Sequence, residues 1–334
     1  MSLTATYRKV AGLLVVQCLF VFAFLYPGYK PTPHGVPVGV VAPVAAASSI
    51  SAKVRGDFTL TRYATQQAAR AAIDDRDIYG AVIVSPRGTQ VLVASAASFT
   101  VSQVLRHAFS SAPVEDVKPL GRNDPRGVTI GLVLLPLITV CLSVVLMLGS
   151  LGLSRRRLVG ALIAFSALGG IAVAAIVHFG LGALPGSYLG LSAITALTIL
   201  ALVLPTAGLH RLLGMAGVAI SGFLFFVFAN PASGNATAPE LLPSPWRQLG
   251  QLLPPGAGGT GLRNTAYFGD TAIGQPVAVL VAFSLAGALL LVSADWLHGR
   301  KAARTPRIAA PVTRARVSPE ATRVRREQSA SNPT

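Results

Sequence analysis

Acidic residues are scarce in this chain: twelve Asp and Glu stand against 28 Lys and Arg in 334 residues. None of the twelve falls in the interior of a long apolar run, and Asp295 only reaches the inner end of the last one. The runs also lack interior Lys and Arg. Proton relays and ion-coupled carriers need ionisable or carbonyl ligands at mid-membrane, so the pattern argues against both. There are two cysteines, Cys18 and Cys141, both inside apolar runs. They offer no disulfide framework and no metal-ligand spacing. A P-loop needs Gly directly before its Lys, because backbone amides cradle the phosphates while that Lys neutralises them. The five lysines follow Arg, Tyr, Ala, Val and Arg. No HExxH or GxSxG pattern occurs, and His34 and His107 stand alone, while His178 and His210 lie at span ends. The expectation is a non-enzyme with no cofactor and no metal.

What remains is apolar. Hydrophobic residues make up 52% and charged residues 12%, with a mean hydropathy of +0.61. Such a chain cannot bury its apolar surface in a soluble core, so its solvent is the lipid bilayer. About 20 apolar residues cross a hydrocarbon core about 30 Å thick. Six runs qualify: residues 10–29, 128–153, 158–179, 188–209, 212–229 and 277–297. The first could be a signal peptide, but the cleavage-like Ala45-Ala46-Ala47 lies well beyond it, so an uncleaved anchor is expected.

The net charge of +16 invites a nucleic-acid reading. Its placement points elsewhere, because the cations sit between or beyond the spans and line no single face of a soluble domain. Arg8 and Lys9 precede the first span, Arg155, Arg156 and Arg157 separate the second and third, Arg211 the fourth and fifth, and Arg300 and Lys301 follow the sixth. Short loops rich in Lys and Arg face the cytoplasm. The expected topology is a multi-pass protein of the plasma (inner) membrane with both termini inside. The basic tail, residues 299–334, is rich in Pro, Ser and Ala and is expected to be disordered. Binding to anionic lipid is its alternative role.

Residues 30–126 are too long and too patterned for a plain connector. Val36, Val38 and Val40 alternate as a strand, and residues 58–63 suggest a second. Residues 64–75 and 99–109 have helical spacing, and residues 79–84 and 90–94 read as strands joined at Ser85-Pro86-Arg87-Gly88. The fold class is thus an α-helical polytopic membrane protein with a small α+β extracytoplasmic domain. Residues 1–29 carry the N-terminus and first span, and residues 127–298 form a five-helix bundle. Residues 230–275 read either as short interfacial or re-entrant helices or as an irregular capping loop. There Trp246 and Arg247 suit an anchor at headgroup level. Gly186 and Gly190, with Gly149, Gly152, Gly169, Gly170, Gly214 and Gly217, offer flat surfaces for packing, subunit contact or sliding helices.

This arrangement resembles the permeases of type-2 ABC exporters, in the branch of the phage-infection-protein-like membrane proteins. The stretch from Ala68 to Pro86 (AARAAIDDRDIYGAVIVSP) is similar to that branch's helix, acidic turn, Tyr-Gly step and strand. Glu240-Leu241-Leu242-Pro243, Leu252-Leu253-Pro254-Pro255-Gly256 and Leu262-Arg263 resemble the re-entrant segment before the last span. The chain departs from the pattern in the nine residues before its first span and in the very short loop at residues 154–157. The resemblance implies a separate ATPase subunit, a homo- or heterodimer, and export of a lipophilic or cell-envelope substrate. It also makes Arg155, Arg156 and Arg157 a candidate ATPase contact, the alternative being that they only fix topology. The competing expectation is a non-transporting scaffold or receptor whose external domain binds an envelope component or protein.

Overall fold

A computed structural model describes residues 3–26, 29, 32–43, 50 and 57–304. Helix α1 (Leu3–Leu25) starts earlier than the apolar run, so Arg8 and Lys9 lie within it. Its apolar side chains, Leu13, Val16, Leu19 and Phe22 among them, are exposed on the protein.

Five strands follow: β1 (His34–Val41), β2 (Asp57–Arg62), β3 (Gly80–Ser85), β4 (Gly88–Val93) and β5 (Val114–Asp116). They form one sheet in the order β2-β1-β3-β4-β5. Only β3 and β4 pair antiparallel, through the tight turn at Ser85–Gly88, where Gly88 takes φ +125°. The parallel neighbours need crossovers. Helix α2 (Gln66–Asp74) joins β2 to β3, and α3 (Phe99–Ala108) joins β4 to β5. Each is started by a hydroxyl cap: Thr65 Oγ1 accepts from Ala68 N at 3.1 Å, and Ser98 Oγ from Val101 N at 3.2 Å. Val36, Val38 and Val40 are fully buried, as their alternation requires, and they pack with Ile73, Leu92 and Leu105. The same core takes in Ala238, Leu241 and Phe268, which lie far along the chain.

Five further helices are long and apolar enough to cross a membrane, which makes this a membrane protein. They are α4 (Thr129–Ser150), α5 (Arg155–Ala175, extended by the π-helical turn Ile176–Gly180), α6 (Tyr188–Leu213), α7 (Met215–Gly222) and α10 (Gly274–Arg304). Helix α7 continues through a π-helix, Phe223–Ala229, into the short turn Asn230–Ala232. Helix α6 is the most buried of the five and packs against α4, α5 and α7.

Two sequence boundaries are corrected. Leu212, expected to open the fifth span, belongs to α6, so His210 and Arg211 sit in a helical last turn and not in a loop. The break comes at Gly214, whose φ of +63° only glycine adopts easily. Beyond it the chain turns back so tightly that a Cβ at Gly217 would lie 2.1 Å from Leu209 O. Helix α10 also runs on to Arg304, past the expected start of the disordered tail. The rest of that tail, 305–334, lies outside the described residues. The chain divides into the unit Met1–Asp295, which holds the sheet and most of the helices, and a second unit, Trp296–Thr334.

Between Ala232 and α10 stand the 3-10 turn Pro239–Leu241 and two helices, α8 (Trp246–Gln251) and α9 (Pro254–Tyr267). The expected short helices are therefore present. Helix α9 opens on Pro254 and Pro255, which suit a helix start because their missing N–H groups would be unpaired there anyway. At 14 residues, about 21 Å, it is too short to span. It is nonetheless buried along most of its length, because its glycines admit close neighbours: Thr198 against Gly258 and the Asn235 side chain against Gly259.

Candidate functional site

Arg263 of α9 is buried where three segments meet. Its Nη1 donates to Ala97 O of the sheet domain and its Nη2 to Asn235 O, both at 2.7 Å. Asn235 in turn donates from Nδ2 to Pro255 O at 2.9 Å. That side chain is thus used internally, and the Asn235-Ala236-Thr237 tripeptide is structural here. No carboxylate pairs with Arg263 among the described residues, so carbonyl dipoles hold the cation. Burial, then the neighbouring Arg76, push its pKa down to about 10, which leaves it charged at neutral pH. The cavity beside it, about 10 Å³, has room for one water and is walled partly by Asp124, Arg126 and Tyr267. Asp124 is itself buried and caps α4, accepting from Val128 N and Thr129 N at 3.0 Å each.

Further contacts join the sheet domain to residues 239–268. Tyr79 donates to Glu240 Oε2 at 2.5 Å. Burial first, and then Glu240, raise the Tyr79 pKa well above its ordinary 10, so the hydroxyl keeps its proton and the bond persists at any physiological pH. The Arg76 guanidinium lies 4.7 Å from the centre of the Phe268 ring. Arg247 donates from Nη1 to His34 O at 2.5 Å, at the start of β1. Of the expected anchor pair, then, Arg247 holds the sheet. Trp246 is half-buried in an aromatic group, 4.9 Å from Phe228 and 6.5 Å from Tyr26 between ring centres.

Beside this junction opens a cavity of about 400 Å³. Phe24 of α1 and the first turn of α4 form one wall, and residues 230–237 form the other. The π-helix that ends α7 delivers Asn230 to it; π-turns recur at functional sites because they break the regular side-chain register.

At the opposite end of the bundle the three arginines separate. Arg155 Nη1 lies 3.4 Å from Asp295 Oδ2, and Arg211 Nη1 donates to Asp295 Oδ1 at 2.6 Å. Arg211 also reaches Leu153 O, so one carboxylate of α10 ties the start of α5 to the last turn of α6. Arg156 and Arg157 are exposed and make no ion pair among the described residues. All three cations occupy the first turn of α5, which itself holds no acidic residue. A cation at the positive end of a helix dipole is unfavourable by about 0.3–1 kcal/mol when exposed. Helix stability therefore does not explain the two unpaired cations.

Sequence reasoning missed Arg263 as a site residue, naming it only within a resembling stretch, and missed the Asp295 bridge. Neither has a local signal: the partners of Arg263 are carbonyls, and those of Asp295 are 84 and more residues away. Among the described residues no cluster of His, Cys, Asp and Glu could hold a metal ion. His178 donates from Nδ1 to Leu184 O at 2.9 Å, a local contact at the end of α5. No family model, curated protein or solved structure matches the chain.

Proposed function

We propose that this chain is a permease-like membrane subunit of an ABC-type exporter for a lipophilic or cell-envelope substrate. In this reading α1 is a sixth span, both termini are cytoplasmic, residues 30–126 are extracytoplasmic, and α9 with its flanks is a re-entrant cover. One observation carries the reading. A folded domain is clamped by buried polar contacts to a broken-helix cover, over a bundle whose span interiors hold no ionisable side chain. Uncharged helices suit a substrate that enters from lipid, and with no P-loop or proton relay in the sequence this reading needs a separate ATPase as its energy source. The scaffold or receptor reading draws support from the α4–α5 connection, Leu151–Ser154, which leaves an ATPase little to hold.

Purification of the full chain in mild detergent separates the two. An ATPase subunit should come with the wild type. It should fall about tenfold with Arg156→Gln and Arg157→Gln combined, which spare the Arg155–Asp295 pair; a tenfold change is about 1.4 kcal/mol of binding. Absence of any ATPase from the wild-type preparation would favour the scaffold. Topology has its own check in a background with Cys18 and Cys141 replaced. An impermeant thiol reagent on intact cells should label Ser110→Cys in the sheet domain and leave Arg156→Cys untouched. The reverse pattern would overturn the map.

A further inference from the structure

The 400 Å³ cavity between α1, α4 and the end of α7 has two unlike walls. Toward its mouth are Phe24, Val128 and Leu132, and the last two are 43% and 68% exposed. At its inner wall the chain from Asn230 to Thr237 presents peptide groups and short polar side chains. The Ser233 hydroxyl is committed to Asn230 O, at 2.6 Å. The Asn230 carboxamide itself has no hydrogen-bond partner among the described residues. A half-exposed amide on a cavity wall, with two donors and an acceptor, can recognise a polar ligand group.

The residues around the cavity decide what that ligand is. A water-soluble molecule would have to pass a rim of exposed Val128 and Leu132, which continues onto the apolar outer face of α1. No acidic residue lines the cavity. The small cavity adjoining it shares Ala236 and Thr237 and adds Arg126, an exposed cation just before α4, together with Asp124, whose carboxylate is taken up by the Val128 and Thr129 amides. Chain-like apolar contacts at the mouth, amide donors within and a cation to one side match one ligand class. We propose that this cavity binds a single anionic membrane phospholipid, with its headgroup against Asn230 and its chain lying between α1 and α4. Its placement in the outer leaflet rests on the topology proposed above, whereas lipid binding requires neither that topology nor an ATPase.

The full chain in phosphatidylcholine nanodiscs doped with phosphatidylglycerol, examined by native mass spectrometry, tests this. The wild type should retain one phosphatidylglycerol per chain, with about tenfold preference over phosphatidylcholine. Gly131→Leu should abolish retention, because position 131 lines the cavity and a Cβ there comes no closer than 3.9 Å to any neighbour. Gly160→Leu, in open space on α5, should change nothing. Asn230→Ala, which leaves the packing intact, should reduce retention about tenfold and keeps the test valid if the leucine variant fails to fold. Equal retention of both lipids, or retention that survives Gly131→Leu, would overturn the proposal. So would displacement by inorganic phosphate alone, since that would identify a free-anion site.

Discussion

Gly287→Ala should destabilise the folded bundle by about 2–3 kcal/mol, although it adds a single methyl group. Where α10 passes α6, a Cβ at position 287 would lie 2.3 Å from Pro205 N and 2.4 Å from the Leu204 carbonyl carbon. Those are backbone atoms and cannot rotate away. Contact between non-bonded heavy atoms is favourable only near 3.5–4.0 Å, so the helices must part by about 1 Å and lose contacts along the crossing. The opposing helix has the same constraint: a Cβ at Gly208 would meet the Leu290 Cβ at 2.6 Å. In lipid, packing of this kind takes over from the hydrophobic effect in holding helices together. The control reverses the sign. Gly160→Ala meets no neighbour and should stabilise by about 0.5 kcal/mol through helix propensity alone. Denaturant titration of both variants in detergent measures the difference, and equal midpoints would show that α6 and α10 are not in close contact.

Those two glycines mark how far the sequence could be read. The amphipathic periods were legible: Val36, Val38 and Val40 formed a buried strand, and both cap-initiated helices of the sheet domain formed within two residues of expectation. Strand β5 was not legible, because three residues carrying Glu115 and Asp116 show no alternation, and their pairing with β4 is created by the crossover. Close-packing glycines were sought by their spacing along one chain. Gly170 and Gly190 indeed lie against α6 neighbours and Thr265, but Gly152 and Gly214 meet nothing. Gly208 and Gly287 escaped notice because closeness belongs to a pair of helices and not to a local motif. The same holds for the junction. Arg263 sits in a Gly-rich stretch that reads as short helices or a capping loop, and its role emerges only once α9 is buried between the bundle and the sheet domain. Asp295 was expected at the end of the last apolar run, but its helix continues to Arg304, and its two arginine partners come from two other helices.

Arg263→Lys should harm the protein more than Arg263→Met, although lysine keeps the charge. The guanidinium reaches two carbonyls on different segments, Ala97 O and Asn235 O, with one planar fork. An ammonium is a compact point charge without that fork. It would still bear the desolvation of a buried ion, several kcal/mol, while losing part of the compensation, and the expected loss is about 3–5 kcal/mol. Methionine leaves two carbonyls without their donor, each costing about 1–3 kcal/mol. It also removes the buried charge, which offsets much of that cost. Global unfolding of the methionine variant should therefore shift by no more than about 2 kcal/mol. The clamp is lost all the same. Hydrogen exchange at residues 97–101 and 234–237 should rise by tenfold or more, while the inner strands β1 and β3 stay protected; tenfold is about 1.4 kcal/mol of local stability. The lysine variant should instead show lower global stability and the same local opening. If lysine proved as stable as arginine, or methionine left exchange at Ala97 unchanged, Arg263 would not be the group that ties the sheet domain to its cover. The coupling would then rest on Tyr79–Glu240 and Arg247–His34, the two remaining polar contacts that join the sheet to residues 239–247 among the described residues.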